Sequence, residues 1–190
     1  MRLRANLATS MSIAASDPEY CARVKAILGE LGVPADVIDA RALPMREEAR
    51  TLELIERGEN GREHHLIPPA AKAWRELRAA ALSDEIPLQV VSAFRGLQRQ
   101  ADIVRGKLAC GLSLDTIFSA SAPPGYSEHH TGRALDVTTH GARQLEVEFE
   151  QTSAFAWLTG NAGLFGFTMS FPRGNPYGFI YEPWHWYFAP

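Results

Sequence analysis

Two segments far apart in the chain hold the residues best suited to metal chemistry. The first contains His129 and Asp136, with Gly132 between them. Imidazole nitrogen and carboxylate oxygen are both good zinc ligands, and a glycine permits the turn that brings the two side chains together. Leu135 and Val137 flank Asp136, so we expect it on a partly buried strand, where a carboxylate is costly unless paired or metal-bound. The alternative is that Asp136 accepts hydrogen bonds from backbone amides at a strand end.

The second segment is strongly aromatic and contains Glu182 and His185, three residues apart. In a straight strand such positions face opposite sides, so Pro183 must bend the chain if both side chains are to reach one site. The functional interpretation makes His185 a third metal ligand and Glu182 a general base that does not bind the metal. The alternative is a packed aromatic strand with a polar edge.

Both segments together supply two histidines, an aspartate and a glutamate. Three protein ligands leave one zinc position open for water, which is the pattern of catalytic rather than structural zinc. Bound zinc lowers the pKa of its water to ~7, and a nearby carboxylate can then move the proton to a leaving group. The sequence contains no HExxH helix, so the common arrangement of zinc proteases is excluded.

Three motifs follow one another along the chain: Ser92-Ala93-Phe94-Arg95 with Gln100, the stretch from Pro124 through Ser127-Glu128-His129 to Asp136, and Glu182-Pro183-Trp184-His185. Their order and spacing resemble the zinc D-Ala-D-Ala carboxypeptidases of the VanY type. This group also includes L,D-carboxypeptidases and some phage L-Ala-D-Glu endopeptidases. The resemblance covers about residues 66–188.

The resemblance implies a role for each matching residue. It implies one zinc ion, with ligands that fall on His129, Asp136 and His185. The catalytic base of the family falls on Glu182. Its arginine falls on Arg95, which would polarise the scissile carbonyl and stabilise the oxyanion, a role that suits a fixed guanidinium group.

The resemblance also implies substrate contacts, and here the chain departs from the family pattern. Ser127 and Gln100 match positions that help to hold the terminal carboxylate of the substrate in L,D-type members. The usual Tyr-Arg-Ser of the first motif is Phe94-Arg95-Gly96 in this chain. The loss of two hydroxyl groups puts fine substrate contacts in doubt, but not the zinc chemistry.

Four further histidines lie outside the predicted ligand set. His130 follows the first ligand, where the family often has Gln, and we interpret it as a surface residue rather than a partner of the ligands or substrate. We expect His64 and His65 to be exposed beside a hairpin turn, and His140 to be exposed in a turn.

The function implied by the resemblance is that of a zinc metallopeptidase. Its substrate would be a peptidoglycan stem peptide or muropeptide, from which it removes a terminal D-Ala. D,D and L,D cleavage both stay open, because the choice depends on one stereocentre in the pocket. The alternatives are an L-Ala-D-Glu endopeptidase and a non-catalytic zinc-binding cell-wall module on the same fold. Retention of Glu182 and Arg95 favours an enzyme.

Such a substrate indicates the cell envelope or periplasm. No clear signal peptide is visible in the sequence. Trimming of recycled muropeptides in the cytoplasm therefore stays open as well.

The elements that must position these residues follow from apolar periodicity and turn signals. Asn60-Gly61 between two extended runs indicates a hairpin, and residues 33–50, which include Pro34 and Pro44, are expected to form a mixed connection. Helices early in the chain and strands late favour an α+β single domain with a central antiparallel sheet flanked by helices, and the resemblance implies a Hedgehog/DD-peptidase-like fold. We expect helices at 19–31, 70–82, 96–109, 113–120 and 153–161, and strands at 52–57, 62–67, 88–94, 134–138, 165–170 and 179–188.

The composition limits the classes of protein to which the chain can belong. Hydrophobic residues make up 46% and charged residues 22%, which excludes long disorder and coiled coil as the main architecture. A net charge of −3 provides no pervasive basic field for nucleic acid. No stretch has the ~20 predominantly apolar residues of a membrane span. We interpret residues 1–16 as a flexible arm, residues 17–190 as one peptidase domain, and Cys21 and Cys110 as free thiols.

Overall fold

The computed structural model describes residues 17–58 and 61–190. The helices in this part of the chain are α1 (Pro18–Glu30), α2 (Ala35–Asp39), α3 (Pro68–Ser83), α4 (Leu97–Ala109), α5 (Leu114–Ala120) and α6 (Ser153–Asn161). The strands are β1 (Glu53–Arg57), β2 (Glu63–Leu66), β3 (Gln89–Ser92), β4 (Ala134–Thr138), β5 (Phe167–Met169) and β6 (His185–Phe188). Short 3-10 helices occur at Glu128–Thr131, Val147–Gln151 and Ala162–Phe165.

The strands form two antiparallel sheets. β1 and β2 pair as a hairpin, and the other four strands follow the order β3-β4-β6-β5. In the four-stranded sheet, Asp136 of β4 lies opposite Ser92 of β3 on one side and His185 of β6 on the other. Directly opposed residues of an antiparallel pair have side chains on the same face. The register therefore places Asp136 and His185 side by side at the centre of the sheet.

The main core lies between one face of this sheet and the helices α3 and α6. Trp74 and Leu77 of α3 and Leu158 of α6 pack in one cluster with Leu135 and Val137 of β4. All five residues of β4 are buried. Because side chains alternate along a strand, Leu135 and Val137 face this core while the residue between them faces the opposite side.

The segment before the hairpin forms a second layer on α4. Val24 and Leu28 of α1 and Ile38 of α2 pack around Leu97, the first residue of α4. The start of α1 is fixed by Asp17, whose side chain accepts a hydrogen bond from the Glu19 amide at 3.0 Å. This layer rests against the side of the molecule where the predicted site residues lie.

The predicted fold class is confirmed, with one correction to the elements. The mixed connection predicted over 33–50 contains the short helix α2 (Ala35–Asp39). The strand predicted over 179–188 is shorter, since regular pairing begins only at His185. The arm predicted at residues 1–16, and the hairpin-turn residues Glu59 and Asn60, lie outside the described residues.

Two exposure predictions for histidines were wrong. His64 has only 4% of its surface exposed, because it shares the inner face of β2 with the buried Leu66. The side chain of His65 is 32% exposed, so it is half-buried rather than exposed. His140 is exposed in a turn as predicted.

Two further predictions concern membranes and disulfides. None of the helices that the structure describes has both the length and the apolar character needed to span a bilayer. Cys21 and Cys110 are both free thiols, as predicted.

Candidate metal centre

Three buried side chains from separate elements converge on one point. His129 is held by the 3-10 helix Glu128–Thr131, Asp136 lies on β4, and His185 is the first residue of β6. The distance from Nε2 of His129 to Oδ2 of Asp136 is 3.1 Å, and from Nδ1 of His185 to Oδ1 of Asp136 it is 2.9 Å. One ligand atom from each residue lies within 4.8 Å of the others. These atoms can therefore share a single metal ion.

Each imidazole has a partner for the nitrogen that faces away from this point. Nδ1 of His129 lies 2.7 Å from the carbonyl oxygen of Ala93 and donates to it. Nε2 of His185 lies 3.1 Å from Oε2 of Glu128 and donates to it. Such outer hydrogen bonds fix the tautomer and ring orientation of metal-binding histidines. They leave Nε2 of His129 and Nδ1 of His185 as the nitrogens available to a metal.

The electrostatics of the three residues favour a positive charge between them. Burial would raise the pKa of Asp136, but the charges and hydrogen bonds of His129 and His185 hold that pKa well below its usual range. Burial would lower the pKa of His185, but hydrogen bonds to Asp136 and Glu128 raise it to about 10. A proton on His185 or a bound metal ion can supply the charge. Two imidazoles and a carboxylate are the donor types of catalytic zinc sites, so these residues fit zinc.

Glu128 is a site residue that the sequence analysis did not single out. It is 8% exposed, and its Oε1 accepts a hydrogen bond from Nη2 of Arg46 at 3.4 Å. Its position directly before a candidate ligand is visible in the sequence. Its contacts with His185 and Arg46 cannot be inferred from the sequence; Arg46, for example, lies 82 residues away along the chain.

Glu182 reaches the site through a turn rather than a strand. The amide of His185 donates to the carbonyl oxygen of Glu182 at 3.1 Å, and Pro183 and Trp184 form the turn between them. This is the bend that Pro183 was expected to provide. Burial raises the pKa of the Glu182 carboxyl to about 7, although the positive charge of His185 opposes the shift. Glu182 is thus a buried carboxylate poised to exchange a proton near neutral pH.

Arg95 lies between the end of β3 and the start of α4. Its amide donates to the carbonyl oxygen of His129 at 3.2 Å, which fixes its backbone next to a candidate ligand. Its Nε is buried and has no hydrogen-bond partner among the described residues. Burial lowers its pKa, while the carboxylates of Asp136 and Glu182 raise it; guanidinium groups nevertheless stay charged in proteins.

His130 is buried, so its interpretation as a surface residue was wrong. It is 0% exposed. Its Nδ1 donates to the carbonyl oxygen of Arg95 at 2.5 Å, and its Nε2 accepts from the amide of Gly125 at 3.1 Å. Burial lowers the pKa of this imidazole to about 4, which matches a neutral ring with one donor and one acceptor. His130 joins the loop before the metal centre to the segment that carries Arg95.

A cavity of about 240 Å³ opens beside these residues. Six of the seven predicted site residues line it: His129, Asp136, His185, Glu182, Arg95 and Ser127. Gln100 is not among its lining residues. It is 1% exposed, and its Nε2 donates to the carbonyl oxygen of Ala122 at 2.6 Å. Ala122 lines the cavity, so Gln100 supports the cavity wall from behind.

A comparison with known protein families gives a match over more than half of the chain. The sequence profile of the VanY family, described as D-alanyl-D-alanine carboxypeptidase, matches residues 63–190. This span includes every residue of the candidate metal centre, together with Glu182 and Arg95. Arg46 and the helices α1 and α2 lie before it.

Similarity to a curated protein covers part of the chain. YodJ of Bacillus subtilis, a protein assigned as a carboxypeptidase, is 31% identical over 119 residues. The match covers 61% of this chain and 43% of YodJ. The chain thus corresponds to less than half the length of that relative.

Solved structures of two peptidases resemble this fold. The L,D-carboxypeptidase LdcB has 27% identity and a TM-score of 0.67, covering 76% of this chain and 71% of that one. The D,D-pentapeptidase VanY of a VanB-type resistance cassette, solved in complex with Zn(II), has 26% identity and a TM-score of 0.59, covering 78% of this chain and 83% of that one. A related structure, VanYB with D-alanine-D-alanine bound, has a TM-score of 0.58.

Proposed function

The chain belongs to the VanY family of D-alanyl-D-alanine carboxypeptidases, and we propose that it is a zinc-dependent carboxypeptidase that removes a terminal D-Ala from peptidoglycan stem peptides. One observation carries the proposal. The triad of His129, Asp136 and His185 shares a single cavity with Glu182 and Arg95. A site that only bound metal would need neither a buried carboxylate poised near neutral pH nor a buried guanidinium beside it.

Zinc would be held by Nε2 of His129, a carboxylate oxygen of Asp136 and Nδ1 of His185. When bound, zinc supplies a Lewis acid that polarises a carbonyl oxygen and lowers the pKa of water. Asp136 contributes the negative charge that favours the cation. Ala93 and Glu128 keep the two imidazoles in the tautomers that this binding requires.

Glu182 is assigned the proton transfers of the reaction. Its pKa of about 7 lies near the operating pH, where a general acid–base group is most effective. It accepts a proton from the attacking water and returns it to the amine of the departing D-Ala. Arg95 is assigned to the scissile carbonyl, where its fixed positive charge stabilises the oxyanion that develops during attack.

Ser127 and Gln100 have different positions in the proposed mechanism. Ser127 lines the cavity and is proposed to donate its hydroxyl to the substrate. Gln100 contacts the wall residue Ala122, so we propose that it acts on the substrate by fixing that wall.

The experiment that tests the proposal is mass spectrometry of muropeptides incubated with zinc-loaded protein. A pentapeptide ending in D-Ala-D-Ala and a tetrapeptide ending in an L-centre followed by D-Ala are compared, with and without chelator. Chelator-sensitive loss of one D-Ala is the expected result, and the substrate that loses it assigns D,D or L,D specificity. A cut after L-Ala would indicate an endopeptidase. No cut with zinc bound would indicate a non-catalytic module.

A further inference from the structure

The cavity contains a second cation that belongs to none of the three sequence motifs. Lys107 lies in the last turn of α4 and is half-buried. It lines the cavity together with Arg95 and Glu182. Its Nζ donates to the hydroxyl of Ser121 at 2.6 Å, and Ser121 is itself part of the cavity wall.

This lysine has capacity for an anionic partner. An ammonium group has three donors, and the hydrogen bond to Ser121 uses one of them. Within residues 17–58 and 61–190, no carboxylate oxygen lies within 4.0 Å of the ammonium of Lys107 or the guanidinium of Arg95. Both cations therefore face the cavity without an ion-pair partner from the described residues.

Two like charges in one cavity wall favour an anion between them. Burial lowers the pKa of Lys107, and the positive charge of Arg95 lowers it further, whereas Glu182 raises it. An anion bound near both cations would relieve this repulsion. In a half-buried site the attraction is stronger than at the open surface, because the effective dielectric constant is lower.

The position of Lys107 in the cavity indicates which anionic group of the substrate it would bind. In the proposed mechanism Glu182 returns a proton to the departing amine, so the released residue lies near Glu182. Lys107 and Glu182 line the same cavity, and the positive charge of Lys107 lowers the pKa of Glu182, so a group bound near Glu182 is within electrostatic reach of Lys107. The amine and the carboxyl of an amino acid are attached to the same Cα by bonds of ~1.5 Å each, so the free carboxylate of the released residue lies within a few ångströms of the departing amine.

We propose that Lys107 binds the free α-carboxylate of the residue that is released, and so restricts cleavage to the C-terminal bond of a peptide. This inference rests on the proposed carboxypeptidase function and names its specificity determinant. Arg95 is then free to act on the scissile carbonyl, and Ser121 holds the ammonium toward the cavity. Gln100 is not among the residues that line the cavity, so it does not compete for this role.

The test compares two peptides that differ only at the C-terminus: acetyl-L-Lys-D-Ala-D-Ala as the free acid and as the amide. Zinc-loaded wild type is expected to prefer the acid in kcat/KM. Lys107→Met is expected to lose about 10- to 100-fold of that preference, the usual range for a hydrogen bond to a charged group. The loss should appear mainly as a higher KM for the acid. Lys107→Arg keeps the charge and is expected to retain most of the preference.

The exposed Lys72 on α3, whose side chain is 78% exposed, provides the control variant Lys72→Met, which is expected to keep the wild-type acid preference. An unchanged acid-to-amide ratio in folded Lys107→Met would overturn the inference. An equal fall in kcat on both peptides would also overturn it, since Lys107 would then act on the chemistry.

Failure of the proposed function gives a different result from failure of this inference. If wild type cleaves only acetyl-L-Lys-D-Ala, in which D-Ala follows an L-residue, the acid and the amide of that peptide are compared instead. Wild type that cleaves none of these peptides contradicts the carboxypeptidase proposal. Calorimetric binding of D-Ala-D-Ala and of its amide to the same zinc-loaded protein then decides the role of Lys107. Tighter binding of the acid that is lost in Lys107→Met supports the inference, and equal binding of both ligands overturns it.

Discussion

Two buried carboxylates in the same cavity have opposite electrostatic environments. The pKa of Asp136 is held low, because the histidines outweigh the effect of burial. The pKa of Glu182 is raised to about 7, because burial outweighs the neighbouring positive charges. Environments that separate the pKa values of paired carboxylates assign their chemical roles. Asp136 is suited to stay ionised beside a cation, and Glu182 to exchange a proton.

We predict that Glu182→Gln abolishes most turnover without loss of metal. The amide keeps the shape of the side chain but cannot exchange a proton, so kcat should fall about 10²- to 10⁴-fold, the usual contribution of a general acid–base group. Zinc content by atomic absorption should stay near that of wild type. Asp136→Ala is the contrasting variant and should lose zinc. Wild-type turnover in zinc-loaded Glu182→Gln would exclude Glu182 as the base.

Glu128 provides a test of the outer hydrogen bonds. Because its carboxylate accepts from His185, Glu128→Ala should weaken zinc binding about 10- to 100-fold, as expected for loss of an outer partner of a ligand. Glu128→Gln should be intermediate, since the amide oxygen can still accept the hydrogen bond. Competition with a chromophoric chelator measures both affinities. The exposed Glu148, which pairs with Arg143, provides the control Glu148→Ala, and equal affinities for all these variants would exclude the role.

Among the elements, the short irregular ones position the site most directly. The 3-10 helix Glu128–Thr131 aims His129 and Glu128 at the centre, and its end is set by Gly132, which has φ +63°. A Cβ at Gly132 would lie 3.0 Å from Leu52 Cδ2. A larger residue would therefore be strained there both by the positive φ and by this close contact. The turn at Pro183 and Trp184 brings Glu182 to the same side as His185. The regular strands determine which residues lie opposite one another, and these irregular segments determine the direction in which the side chains of the site point.

The hairpin provides a prediction on pH dependence. Burial lowers the pKa of His64 below its ordinary value of 6.5, and Arg62 and His65 lower it further. The unfolded chain therefore takes up a proton at this residue before the folded protein does, and stability is lost as the pH falls through about 6.5. Wild type should lose more of its Tm between pH 8 and pH 5 than His64→Gln. Thermal unfolding of both proteins, with exposed His140→Gln as control, measures the difference, and equal losses would contradict it.

The sequence predicted regular elements and motif residues better than long-range contacts. The helix predicted at 19–31 corresponds to α1, and the motifs predicted the three residues that converge as candidate metal ligands. Burial of His64 was missed because the sequence does not show which face of the hairpin packs against the rest of the molecule. Burial of His130 was missed because its partners are the backbone groups of Gly125 and Arg95. The mixed connection predicted over 33–50 gave no bounds for α2, because a helix of 5 residues is too short to produce a clear apolar periodicity. Arg46, Glu128 and Lys107 were missed because their partners are far away in the sequence.

At the scale of the whole molecule, residues 17–50, which precede the part matched by the family profile, support the candidate site. The amide of Arg46 donates to the Gly125 carbonyl at 2.7 Å, and that of Ala49 to the His130 carbonyl at 2.8 Å. A Cβ at Gly125 would lie 2.6 Å from a methyl group of Val24, so α1 packs directly on this loop. The side chain of Arg46 also pairs with Glu128. Residues 17–50 therefore hold the loop that carries His129 from the outside.

We predict that the part of the chain matched by the family profile is not sufficient for a stable metal site. Removal of residues 1–50 would expose Leu97 and Val104 of α4, which are 0% exposed in the intact protein. Exposure of a fully buried side chain of this size costs about 1.5–3 kcal/mol, and whole domains are stable by only about 5–15 kcal/mol. Thermal unfolding should therefore show a large fall in Tm.

The same truncated chain should also bind zinc more weakly in chelator competition, because Glu128 loses Arg46. Removal of residues 1–16 alone is the matched control. The sequence predicts those residues to be a flexible arm, so this shorter deletion should leave Tm and zinc affinity near the values of the full chain. A chain starting at residue 51 with the full Tm and zinc affinity would show that the layer formed by α1 and α2 is dispensable. In that case the register of β4 and β6, together with the turn at Pro183, would be enough to hold the three ligands in place.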